Sequence, residues 1–170
     1  MKTMTLKLYS LNFSEIKTYM FATLFVVGNI LLPQVCHLIP KGGFIFLPIY
    51  FFTLIAAYKF GWKAGLLTAI LSPIVNHVLF GMPPMAVLPA ILTKSVFLSF
   101  AAAMAATHFK KLSLGILALV VVSYQFFGTL VEWAMIGNFF KAIQDFRIGI
   151  PGMLLQVFGG YSVIKYLLRN

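Results

Sequence analysis

Long apolar runs, separated by short polar or glycine- and proline-containing breaks, fill the chain from about residue 19 onward. The first run covers about 19–38 and closes on Pro40-Lys41-Gly42-Gly43, and a second covers about 44–57 and ends at Lys59. A third, about 61–80, begins at Gly61-Trp62-Lys63 and stops at the turn Gly81-Met82-Pro83-Pro84. The fourth covers about 85–107, and Lys110 and Lys111 separate it from a fifth at about 112–137. A polar stretch, 138–147, precedes the sixth run at about 148–168. Crossing the hydrocarbon takes roughly 20 apolar residues per helix. The pattern therefore predicts an all-α membrane protein, a bundle of about six transmembrane helices in one integral membrane domain. Ahead of it, residues 1–17 mix Lys2, Lys7 and Lys17 with apolar residues, and Asn12 stands three before Glu15 in capping-box spacing. That segment is expected to lie as a short helix on the membrane surface.

Composition narrows the class. Of 170 residues, 61% are hydrophobic and 9% charged, against about 45–50% and 25% in soluble domains. These values exclude a water-soluble globule, and the excess of apolar surface excludes a disordered chain. Cys36 is the single cysteine, so neither an intramolecular disulfide nor a cysteine-based metal knuckle is available. No small-x-small cleavage site follows the first apolar run, and the first helix is expected to be retained. The formal net charge of +10 points to cytoplasmic loops and anionic headgroups, not to nucleic acid. Nine cations fall at the termini and in the connections near 59–63 and 110–111; three, Lys41, Lys141 and Arg147, fall on the opposite side, and Lys94 lies inside a span. This bias places both termini in the cytoplasm.

Nothing in the chain reads as an enzyme. There is no phosphate loop, no His-Glu-x-x-His and no Gly-x-Ser-x-Gly. One Asp and two Glu leave no expectation of paired carboxylates for a divalent metal, and the spacing of the three histidines gives no metal signal. Neither a catalytic residue nor a metal ligand is assigned.

Polar groups within apolar spans are costly and become candidates for function. With the orientation above, Gln34 and His37 fall near the outer end of the first span, Asn76 and His77 near that of the third, and Glu132 and Trp133 near that of the fifth. Gln156 lies in the outer half of the sixth, while Lys94 and Gln125 lie closer to the midplane. The outer connection adds Asn138, Lys141, Gln144, Asp145 and Arg147. Such a distribution describes a cup open to the outside. Each member also has a plainer reading: His37 facing headgroups, His77 capping its helix, Trp133 in the interfacial aromatic belt, and Lys94 paired with Glu132 for structure alone. Glu132, the carboxylate within a span, needs a cation, either Lys94 or one that arrives.

The chain resembles the S components of energy-coupling factor (ECF) transporters, the small substrate-binding membrane subunits of vitamin importers. The resemblance covers nearly the whole chain. It is most specific over Phe60-Gly61-Trp62-Lys63-Ala64-Gly65, leading through Asn76 to Gly81-Met82-Pro83-Pro84, similar to the family's Gly-x-x-x-Gly start of helix 3 and the glycine/proline loop after it. The first helix departs from the family's Ala-x-x-x-Ala face, with Val26 four residues after Ala22. The resemblance implies a bacterial or archaeal cell-membrane protein that captures a vitamin-like small molecule from the outer side through Lys41, Asn76, His77, Lys94, Glu132, Trp133, Arg147 and Gln156. In that picture Trp133 stacks on a flat heterocycle and Glu132 accepts from a ring NH or a cationic group. Lys94 or Arg147 pairs with a carboxylate or phosphate, and the loops at Gly42-Gly43 and Gly81 act as lids. A transmembrane T component and two ATPase subunits are implied as partners, with ATP used by them and no cofactor on this chain. Two other readings remain: an MreD-like scaffold for cell-shape or wall synthesis, and an orphan membrane subunit with a lipid ligand.

Overall fold

The computed structural model describes residues 11–169; most of the expected surface segment, with Lys2 and Lys7, lies outside them. Every regular element among the described residues is helical. Helix α1 (Ile16–Cys36) is followed by a short α2 (Gly42–Phe46), a 3-10 turn (Pro48–Tyr50) and α3 (Phe51–Phe60). Three long helices come next, α4 (Trp62–Phe80), α5 (Leu88–Phe109) and α6 (Leu114–Ile136). Two short helices, α7 (Phe139–Ala142) and α8 (Gln144–Ile148), lead into α9 (Ile150–Leu154), a π turn (Leu155–Gly159) and α10 (Gly160–Arg169). Four helices, α1, α4, α5 and α6, are long and apolar enough to cross a membrane.

Local chemistry explains the breaks. Gly81 and Gly137 end α4 and α6 in the left-handed region, at φ 67° and 66°, a conformation glycine adopts without a Cβ clash. Before α1, the Asn12 N–H donates to Glu15 Oε1 at 3.1 Å, the return half of a capping box. The second apolar run, expected as one span over 44–57, is interrupted. Leu47 takes φ 46° and Pro48 follows with no N–H to donate, so α2 and α3 are separate helices. At about 1.5 Å per residue, α3 alone reaches only halfway through a bilayer core.

Instead, α3 forms the centre of the bundle. Leu54, Ile55, Ala56, Ala57 and Tyr58 are fully buried, and the helix packs against α1, α4, α5 and α10. The Tyr58 hydroxyl donates to the Lys111 carbonyl at 2.8 Å, tying it to the α5–α6 connection. Gly65 allows a close approach of three helices: a Cβ there would sit 2.4 Å from Ala57 Cβ and 2.7 Å from Ser99 Oγ. Small residues are how membrane helices, lacking a hydrophobic drive to associate, gain contact.

Polarity is distributed as a bilayer requires. Thr18, Asn29, Thr53, Thr68, Ser72, Ser95, Ser99, Gln125 and Gln156 are fully buried, while Leu24, Leu31, Val78, Met104, Leu119, Phe126 and Phe127 face outward. A soluble bundle places these classes the other way round; in hydrocarbon, polar groups find partners only inside the protein. This is the build of a helical membrane protein. Gly65→Ala is expected to lower stability by about 1–3 kcal/mol through overpacking, read as a lower unfolding midpoint in detergent; an unchanged midpoint would show that α3, α4 and α5 do not meet this closely.

Candidate functional site

Two polar clusters occupy the interior, and they do different things. The first joins α1, α3 and α4. Pro33, inside α1, has no N–H, so the carbonyl of Asn29 four residues earlier loses its helical donor. Asn76 supplies the replacement: its Nδ2 donates to the Asn29 carbonyl and to the Ser72 carbonyl, both at 2.9 Å. Asn29 Nδ2 in turn donates to Thr53 Oγ1 and Ser72 Oγ at 3.0 Å each, and its Oδ1 accepts the Phe52 N–H at 3.1 Å. This knot satisfies itself and holds three helices together. Asn76, expected in the substrate cup, is committed to it.

The second cluster joins α5, α6, α8 and the π turn. Lys94 Nζ lies 2.6 Å from Glu132 Oε2 and 2.6 Å from Asp145 Oδ2. Its side chain is 3% exposed, against 16% and 17% for the two carboxylates. Lys94 enters from the first turns of α5 and crosses α6 at Gly128, where a Cβ would meet Lys94 Cγ at 2.4 Å. Only glycine leaves that passage free. On α6, Gln125, Gly128, Thr129 and Glu132 stand at i, i+3, i+4 and i+7, one face of the helix.

Tyr50 and Tyr124 extend the cluster, with ring centroids 5.4 Å apart and Asp145 within electrostatic reach of both. The Tyr124 hydroxyl donates to Gln156 Oε1 at 2.9 Å and accepts from Gln125 Nε2 at 3.3 Å. Gln156 sits inside the π turn, a widened turn often found at functional sites. Among the described residues, three buried polar atoms here have no partner: Gln125 Oε1, Thr129 Oγ1 and Gln156 Nε2. An atom of this kind left unmet costs about 1–3 kcal/mol, and their concentration here makes the cluster the candidate site.

Of the candidates read from the sequence, the structure brings together Lys94, Glu132 and Gln156. The others lie elsewhere. The His77 Nδ1–H donates to the Pro83 carbonyl at 2.8 Å and holds the turn after α4. Trp133 is 45% exposed and packs edge-on against Phe139 at 5.3 Å. Lys41 is exposed at the start of α2, and Arg147 is exposed on α8. Scarcity of acids gave no expectation of paired carboxylates, yet two of the chain's three acidic side chains converge on one ammonium. Among the described residues no group of three or more His, Cys, Asp or Glu gathers.

The sequence pattern named Asp145 and Gln125 among the polar positions of the cup without placing them in the substrate-binding set, and it did not single out Tyr50, Tyr124 or Thr129. The helical spacing of Gln125, Thr129 and Glu132 was a usable signal for α6. Asp145 was visible only as one of five polar residues of the outer connection, with nothing local to set it apart from the rest. Compared with known protein families, with curated proteins and with solved structures, the chain gives no match.

Lys94→Met leaves two carboxylates facing each other without a cation and is expected to destabilise by about 3–5 kcal/mol. Adding Glu132→Gln and Asp145→Asn should recover most of the loss in a thermal unfolding series; no recovery would mean that Lys94 acts through its stem packing and not its charge.

Proposed function

We propose that this chain is the substrate-binding S component of an ECF-type importer. It captures a vitamin or related small micronutrient from the outer side of the cell membrane, for uptake driven by a transmembrane T component and two ATPase subunits. In this reading the chain crosses the membrane six times: through α1, the unit from α2 to α3, α4, α5, α6, and the run from α9 to α10. Both termini are cytoplasmic, in keeping with the bias of cations to that side. The Lys94 cluster then lies toward the outer leaflet, beneath the connections 81–87 and 137–149.

The observation that carries the proposal is the buried cluster itself. Helix–helix adhesion is already supplied by small residues and by the Asn29–Asn76 knot, and a scaffold has no use for three ionised side chains with unmatched amide and hydroxyl groups around them. A bound solute does. It would supply the missing hydrogen bonds and take up the exposed carboxylate edges, the few placed polar groups by which a small-molecule site orients its ligand. Arrival of the solute would also draw on the short elements α2, α7 and α8, which border the cluster and can close over it.

Purified protein titrated calorimetrically with a panel of water-soluble vitamins, alone and after co-expression with an energising module, tests the reading. One panel member should bind. Glu132→Gln and Gln156→Ala should each weaken it by about 1–3 kcal/mol, whereas Asn76→Ala should lower the unfolding midpoint and leave affinity unchanged. A well-folded protein that binds no panel member and carries no solute by native mass spectrometry would favour the scaffold.

A further inference from the structure

Resting on that reading of the cluster as a solute site, we propose that the group it grips is positively charged: a protonated amine or amidinium-type nitrogen. Charge counting comes first. Lys94 brings one positive charge to two carboxylates, each 2.6 Å from its Nζ, so the cluster carries a formal charge of −1. It does so in a chain of net charge +10 that holds only three acidic residues. The ammonium is also spoken for. It is buried behind its partners, and the carboxylates present the more exposed edges. An incoming anion would therefore meet carboxylate oxygens, while an incoming cation meets the charge it needs. The earlier expectation that Lys94 pairs with a carboxylate or phosphate on the solute reverses: its charge is already exceeded by the protein's own acids.

Hydrogen-bond inventory agrees. Among the described residues Gln125 Oε1 is an acceptor without a donor, and Thr129 Oγ1 is a hydroxyl able to accept. Together with the free lone pairs of Glu132 and Asp145 they call for a group rich in N–H. Gln125 is fully buried and Thr129 is 6% exposed, on the same α6 face as Glu132. The Tyr50 and Tyr124 rings add aromatic surface beside the same charges, an arrangement that favours organic cations. Gln156 Nε2, a donor without an acceptor, takes a lone pair elsewhere on the solute.

The test uses the full-length protein in lipid nanodiscs and reads affinity from thermal-shift titrations. Probes are cationic (thiamine, pyridoxamine), neutral (riboflavin) and anionic (pantothenate, nicotinate), with methylammonium chloride against sodium chloride as the minimal cation. A cationic probe, or methylammonium itself, should stabilise the wild type. Asp145→Asn and Glu132→Gln should weaken it about ten- to a hundredfold, the usual loss when a charged hydrogen bond is removed. Asp145→Glu keeps the charge and should retain binding within a few-fold, which guards against an Asn variant that folds poorly. Binding confined to neutral or anionic probes, or a cation whose affinity ignores both neutralising variants, overturns the cationic assignment and leaves the importer standing. No stabilisation by any probe, methylammonium included, overturns both.

Discussion

A lysine ammonium held within an apolar bundle has no water to lean on, and the arrangement around Lys94 follows from that need. Its partners must be anions, and they must reach it across helices. Glu132 does so because Gly128 opens a path for the lysine stem across α6. Asp145 does so because α8 folds back onto the end of the bundle instead of trailing into solvent. The positions of α5, α6 and α8 are thus fixed relative to one another by one ion cluster, and the tyrosine and glutamine groups beside it inherit their places.

The same absence of solvent explains the second cluster and separates its role from the first. Pro33 disrupts the hydrogen-bond ladder of α1, and the freed carbonyl is met by Asn76 from α4. The donors of Asn29 and Asn76 are both spent on this junction. Around Lys94 the account does not close, since amide and hydroxyl atoms stay unmatched at full burial. A closed network rigidifies; an open one leaves polar groups unmet. That contrast, more than any residue type, separates framework from candidate site here.

Helical character and the ends of the long helices were legible because apolar runs and their glycine or proline stops are local signals. The pattern expected 61–80, 85–107 and 112–137, and the helices occupy Trp62–Phe80, Leu88–Phe109 and Leu114–Ile136. The break at Leu47-Pro48 was less legible, since an apolar run continues through it and only the backbone reveals the left-handed turn. Lys94, Glu132 and Gln156 could be singled out because ionised and amide groups in apolar helices are conspicuous. Asp145 could be named only among the polar residues of its connection: its pairing with Lys94 comes from where α8 docks, a tertiary fact. Asn76 drew attention for the right physical reason, the burial of an amide, but its partner is the Asn29 carbonyl, 47 positions away and released by Pro33, a relation no local window contains.

The π turn at Leu155–Gly159 gives the last helix one surplus residue in its winding. Within it Gln156 is oriented by Tyr124; beyond it Ile164 is oriented by the central core. Without the surplus, a single rotation would have to suit both ends. With it, each half takes the rotation its own neighbours require, so the polar end and the apolar end of one helix are set separately.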